Sequence, residues 1–237
     1  MNSTAALAEL PQLERRTLSE TVYEALADLL ASGRLAPGDR LSLRQSAAAL
    51  GVSVMPVREA VSRLAADGVL EVAPNRVIRV PVMSAAAFRA LAETRIAVEG
   101  IAVARAAERR TAEELATIRR AEEAFRAEAE ATKPDRTRAV QLNRDLHFAI
   151  YGACGLGPLQ EIIARLWLKA GPVINLDLRV HPERLLQGFA LRRHAEALAA
   201  IEDRDAAAAA AAIAADIREA AEFIMDRGGL RDTQEED

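Results

Sequence analysis

Two patterns of apolar and polar positions run along this chain. Over residues 44–66 the spacing predicts two short helices that meet at a tight turn. Ala47 supplies the small residue at the crossing, Gly51 the turn, and Val57 a buried β-branched anchor. Ser53 stands where its hydroxyl can cap the second helix. Val57, Val61 and Leu64 form the core stripe of that helix, so Arg58 and Ser62 share the opposite face, as a helix lying in a DNA major groove requires. Asp67-Gly68 ends it. Residues 69–72 and 77–80 read as two short strands joined by residues 73–76, a β-wing with Arg76 at its tip. A guanidinium there can meet phosphate or the minor groove, or can be a solvated edge charge like Arg79.

Beyond Pro81 the apolar period is near 3.6, with breaks at Lys133-Pro134, residues 155–158 and His181-Pro182. The pattern predicts helices at 84–109, 111–131, 136–153, 159–179, 183–203 and 206–227. The alanine run at 206–212 belongs to the last of them, because alanine has the highest helix propensity and Asp205 can cap it. The fold class expected is mainly α: an N-terminal winged helix-turn-helix with a small β-hairpin wing, then an all-α antiparallel helical bundle.

At 237 residues the chain is long enough for both parts to bury a core. The division expected is a tail at 1–14, a DNA-binding part at 15–82, a helical domain at 83–228 and a tail at 229–237. Net charge is −4, yet residues 15–82 hold nine arginines against seven acidic residues, so the basic excess sits in front. Cys154 is the single cysteine, which excludes an intramolecular disulfide and a cysteine zinc cluster and leaves a role as core filler. No signal peptide or bilayer-length apolar run is evident, so no membrane is expected as a partner and the cytoplasm is the expected location.

The helical part carries polar residues on its apolar stripes. Arg95 interrupts the stripe of Phe88, Leu91, Val98 and Ala102. Asn143 and His147 lie one turn apart beside Val140, Leu146 and Ile150; His194 sits with Leu191, Leu198 and Ile201, and Asp216 with Ile213, Ala220 and Phe223. Buried charge and imidazole are costly unless paired, hydrogen-bonded or metal-bound. Asn143, His147, His194 and Asp216 together make an N/O donor set suited to a divalent ion such as zinc, nickel, iron or manganese. Satisfied core histidines and an Asp216–arginine pair are the competing reading. Arg95 offers a planar fork to a carboxylate ligand, or a structural ion pair to a neighbouring Glu or Asp. His181 reads as a loop residue, and Tyr151 and Trp167 as pocket wall or core.

Residues 17–82 resemble the winged helix of the GntR family of bacterial transcription regulators. The resemblance is carried by Gly33-Arg34-Leu35-Ala36-Pro37-Gly38-Asp39-Arg40-Leu41 and Pro56-Val57-Arg58-Glu59-Ala60. It implies DNA contacts from Arg44, Arg58 and Arg76. The chain departs from the family where many relatives have a basic residue after the turn serine, since it has Val54 and Met55; Asn75 stands where the wing often has glycine. Residues 84–228 resemble the FCD ligand-binding domain of the FadR-like branch, through residues 94–99, 143–148 and 193–198. That likeness implies a divalent metal held by an Asp or Asn and three histidines, with a small organic acid nearby. Asn143, His147 and His194 match, and Asp216 takes the place of the last histidine.

The function expected is a ligand-responsive transcription regulator, more a repressor than an activator, that forms a homodimer on a near-palindromic double-stranded operator. A small carboxylate effector would bind near Arg95, Asn143, His147 and His194, and the signal would pass through residues 81–87. Two alternatives remain open: a dimeric regulator without effector, and a metal-dependent hydrolase using the same bundle residues. No His-Glu-x-x-His signature supports the second.

Overall fold

The structure, a computed structural model, describes residues 17–74, 76–180, 188–227 and 230. In chain order the elements are α1 (Leu18–Ala31), β1 (Arg40–Leu41), α2 (Leu43–Leu50), α3 (Val54–Ala66), β2 (Glu71–Val72), β3 (Ile78–Arg79), α4 (Ala85–Arg109), α5 (Ala112–Ala129), α6 (Arg136–Gly152), α7 (Gly157–Val180), α8 (Phe189–Glu202) and α9 (Ala206–Asp226). This is a winged helix-turn-helix followed by a helical bundle, as the pattern predicts.

Local chemistry accounts for most boundaries in the head. Thr17 caps α1 by accepting from the Glu20 amide at 3.2 Å, and Ser42 caps α2 through the Gln45 amide at 3.4 Å. Gly51 ends α2 with φ of 65°, a left-handed conformation that turns the chain into α3 without strain on a Cβ. Ser53 occupies the N-cap position of α3, but its side chain makes no capping hydrogen bond, contrary to expectation. The strands are shorter than the spacing predicts; ahead of β2 the Val69 and Leu70 amides donate to the Leu64 carbonyl at the end of α3 instead of to a neighbouring strand. A strand the pattern did not reveal, β1, pairs with β3, giving a three-stranded antiparallel sheet in the order β1-β3-β2. Arg40 faces Arg79 and Leu41 faces Ile78 across that added seam.

The core of the head is apolar throughout: Leu26, Leu30, Val57, Ala60, Leu64 and Ile78 lie at its centre, and Leu168 of α7 completes it. That last residue comes from the bundle.

In the bundle, α4 packs mainly on α9, α9 on α8, and α5 on α6, while α7 lies between this assembly and the head. Phe88, Ala102, Ile118, Ile150, Ile163, Ile201 and Ile213 fill the centre, with Cys154 fully buried as filler. A reciprocal cap between Thr111 and Glu114 starts α5, Asp135 starts α6, and Asp205 starts α9 by accepting from the Ala208 amide at 2.9 Å. The alanine run is helical. Helix α8 starts at Phe189 behind Gly188 at φ of 68°; the start expected at 183, and His181 with it, fall within residues 181–187, which lie outside the described residues, as do 1–16, 75, 228–229 and 231–237. Among the described residues, no helix is long and apolar enough to cross a membrane.

The seam between head and bundle is tight. A Cβ on Gly171 of α7 would come within 2.8 Å of the Ala31 Cα, and one on Gly33 within 2.6 Å of the Leu176 amide nitrogen. Asn175, 6 % exposed, donates its side-chain amide to the Ala31 carbonyl at the end of α1. Arg144 of α6 adds an ion pair to Asp28 at 3.2 Å.

Candidate functional site

Two places in the molecule concentrate chemistry. The first is the outer face of the head. Arg58 and Ser62 on α3 are exposed, opposite the buried Val57, Ala60, Val61 and Leu64. Arg44 on α2 and Ser53 at the turn are exposed too. Arg76 lies at the wing tip with φ of 61°; its amide donates to the Ala73 carbonyl at 2.8 Å, closing the turn that leaves its side chain in solvent. Arg79 is held across the sheet by Glu71 in a two-point ion pair with both contacts at 3.0 Å, which leaves Arg76 the wing arginine without a strand partner opposite it.

The second place is inside the bundle. His147 of α6, His194 of α8 and Asp216 of α9 bring ligand atoms within 4.8 Å of one another, all three buried. His147 Nε2 is 3.4 Å from one Asp216 oxygen, and His194 Nε2 is 3.7 Å from the other. Asn143, one turn before His147, lines one cavity with His147, Asp216, Arg95, Phe125, Trp167 and Asn175. The cavity leaves about 40 Å³ for water-sized occupants. That is room for an ion with a water or two.

Proton positions in this cluster follow from a short relay. Burial, reinforced by the neighbouring Glu99, raises the Tyr151 phenol well above its ordinary value, so it stays protonated and donates to Glu99. Its oxygen then accepts from His147 Nδ1 at 2.9 Å. Burial also lowers the His147 pKa despite Asp216, which keeps the ring neutral near pH 7. A neutral ring that donates through Nδ1 has a bare lone pair on Nε2, and that lone pair points at Asp216. A carboxylate has only acceptors to offer, and one Asp216 oxygen is 3.4 Å from that nitrogen. Lone pair and carboxylate therefore face each other. His194 goes further: among the described residues, neither of its buried ring nitrogens has a hydrogen-bond partner. Such an arrangement is stable when a cation lies between the donors. A tetrahedral shell with bonds of about 2.0–2.1 Å has edges of roughly 3.4 Å, matching the His147–Asp216 separation. The residues fit a divalent ion.

Arg95 has a partner that sequence reasoning did not assign. Its Nε donates to Glu99 at 2.6 Å and a terminal nitrogen at 3.3 Å, with both side chains buried and the guanidinium 4.7 Å above the Trp167 ring. The i, i+4 spacing of Arg95 and Glu99 is the signal that could have found it. Burial opposes the charge on Arg95, and Glu99 more than offsets this. Of the two readings left open for Arg95, the structural ion pair is formed, and the residue still lines the cavity.

Comparison with known proteins bears on both places. Residues 18–80 match the family of bacterial regulatory proteins of the gntR type, and residues 90–219 match the FCD domain. The chain belongs to the GntR family of transcription regulators, with a C-terminal FCD domain. It is 32 % identical over 199 residues to the HTH-type transcriptional regulator McbR of Escherichia coli, covering 82 % of this chain and 86 % of that one. The regulator BphR of Paraburkholderia xenovorans is 31 % identical over 206 residues, covering 82 % and 84 %. The solved structure of E. coli McbR/YncC superposes with a TM-score of 0.83 at 28 % identity, covering 91 % of this chain and all of that one. A GntR regulator from Rhodococcus sp. RHA1 shares the fold with a TM-score of 0.70 at 24 % identity, over 90 % of this chain and 99 % of that one. These families and relatives are transcription regulators, not enzymes, which sets the hydrolase alternative aside.

In this GntR regulator, sequence reasoning missed Asn175 besides Glu99, and it named Tyr151 as pocket wall or core without its hydrogen bonds. Tyr151 sets the His147 tautomer, and its signal was the i, i+4 spacing from His147. Asn175 both lines the cavity and holds the head, and no local pattern marks a contact to a residue 144 positions away.

Proposed function

We propose that this DNA-binding regulator senses a small carboxylate through a divalent metal held by His147, His194, Asp216 and Asn143, and that helix α7 conveys the occupancy of that site to the head. The carrying observation is that one helix serves both sides. Trp167, Ala170, Gly171, Ile174 and Asn175 of α7 line the cavity, while Leu168, Gly171 and Asn175 of the same helix pack on α1 or join the core of the head. The donor set suits zinc or nickel, and the ion when bound would supply a fixed positive charge that a carboxylate could meet. Arg95 adds its own charge to the wall.

The cavity as it stands accepts an ion and little more, so an acid must displace side chains as it enters. Displacement of the α7 wall shifts the surface on which α1 rests. This route is more direct than one through residues 81–87. Couplings of this kind amount to about 1–3 kcal/mol, enough to change operator occupancy severalfold. Two copies of the chain place two α3 helices and two wings on a near-palindromic operator, where Arg44, Ser53, Arg58, Ser62 and Arg76 contact DNA, and loss of affinity on acid binding makes the protein a repressor.

The test is a thermal-shift screen of zinc and nickel, each with and without small carboxylic acids, on the wild type and on His194→Leu. Expected are a metal-dependent rise in Tm, a further rise with some acids, loss of both in His194→Leu, and a metal-free Tm in that variant no lower than in wild type, because an unpartnered imidazole is replaced by an apolar side chain. The proposal is overturned if neither metal moves the wild-type Tm, or if no acid changes operator affinity.

A further inference from the structure

Met55 is the most exposed large apolar side chain among the described residues, at 57 %. A lone exposed apolar residue is ordinary on a protein surface. Its position here is not. Met55 lies in the first turn of α3, one turn before Arg58 and two turns before Ser62, on the face opposite the buried Val57, Ala60, Val61 and Leu64. The acidic residue that shares this face, Glu59, is drawn back to the head by the Ser19 hydroxyl, which donates to its carboxylate. The outermost part of the face is therefore a thioether with a guanidinium beside it. Charge alone on this face would bind phosphate without regard to sequence.

The inference rests on the reading of α3 as the helix that enters the major groove, where residues at the start of such a helix reach base edges. The apolar group presented in that groove is the C5-methyl of thymine, and it distinguishes A·T from T·A and from both G·C orientations. A methionine is unbranched and polarizable, so it can follow a methyl group without a demanding geometry. We infer that Met55 is a specificity-determining residue that packs against a thymine methyl in each half-site, with Arg58 meeting the adjacent base or phosphate. Met55 thus selects thymine by burying its methyl, and a hydrogen-bonding residue at this position would select by a different code.

The experiment removes that methyl without altering base pairing. Duplexes enriched from a random pool by the full-length protein are resynthesised with deoxyuridine in place of each thymidine in turn, and dissociation constants are measured at one salt concentration. For wild type, one thymine per half-site is expected to lose about fourfold in affinity on conversion to uracil, the value of one buried methyl-sized group. Met55→Ala is expected to bind the thymine duplex more weakly, to show no difference between thymine and uracil there, and to keep the wild-type Tm because the side chain is exposed. Equal wild-type affinity for all uracil duplexes overturns the inference while leaving the DNA-reading proposal intact, as does methyl sensitivity that persists in Met55→Ala. Failure of the pool to yield any enriched sequence overturns both.

Discussion

The head and the bundle handle polar chemistry in opposite ways. Every buried polar or charged side chain among the described residues, Arg95, Glu99, Glu122, His147, Asn175, His194 and Asp216, belongs to the bundle. The head, over residues 18–80, has none, and carries its arginines on the surface around a core of aliphatic side chains. Burying charge costs several kcal/mol per ion after relaxation, repaid only by well-formed pairs and hydrogen bonds. A reader of DNA has no use for that cost, since its partner is large, external and anionic. A sensor of a small ion or acid does, because a low-dielectric interior strengthens each interaction with what it admits. The difference puts the DNA-binding chemistry of the head on its outside and, under the sensing role proposed above, the chemistry of the bundle on its inside.

Three substitutions bear on this contrast. The largest effect is expected from Glu99→Ala, which leaves Arg95 buried without its carboxylate and removes the acceptor of Tyr151. Chemical denaturation should show a loss of about 3–5 kcal/mol. A loss under 1 kcal/mol would mean that the interior of the bundle tolerates an unpaired charge, and the contrast with the head would collapse. Next comes Arg58→Ala on the surface of the head. Operator affinity should fall by about 1–3 kcal/mol with no measurable change in Tm; a fall in Tm instead would make Arg58 a structural residue. The smallest effect is expected from Asn175→Ala at the seam, which leaves the Ala31 carbonyl without its donor at a cost of about 1 kcal/mol. Hydrogen exchange at the end of α1 should quicken while the metal-dependent rise in Tm persists. Unchanged exchange there would remove α7 as the route between the two regions.

The contrast also explains which parts of the molecule were legible beforehand. Head and bundle helices announce themselves within a window of a few turns: Gly51 for the turn, Asp205 for a helix start, Val57, Val61 and Leu64 for a buried stripe. His147, His194 and Asp216 were marked by their place on apolar stripes, because a polar residue among buried positions is conspicuous in any helical register. Ser53 shows the limit of the same logic, since it holds the capping position without making the bond. The strand β1 was missed because two residues carry no period, and its existence depends on β3 lying alongside.

The sequence by itself determined the helices, the turn between α2 and α3, and the faces on which arginine, histidine and aspartate appear, since these follow from hydrogen bonds and side-chain periods spanning few residues. Tertiary structure alone decided that Tyr151 bridges Glu99 and His147, that three donors from α6, α8 and α9 share one space, and that α7 is at once the wall of a cavity and part of the core of the head. Those are contacts between residues tens of positions apart, and only the packing of whole elements brings them within reach of one another.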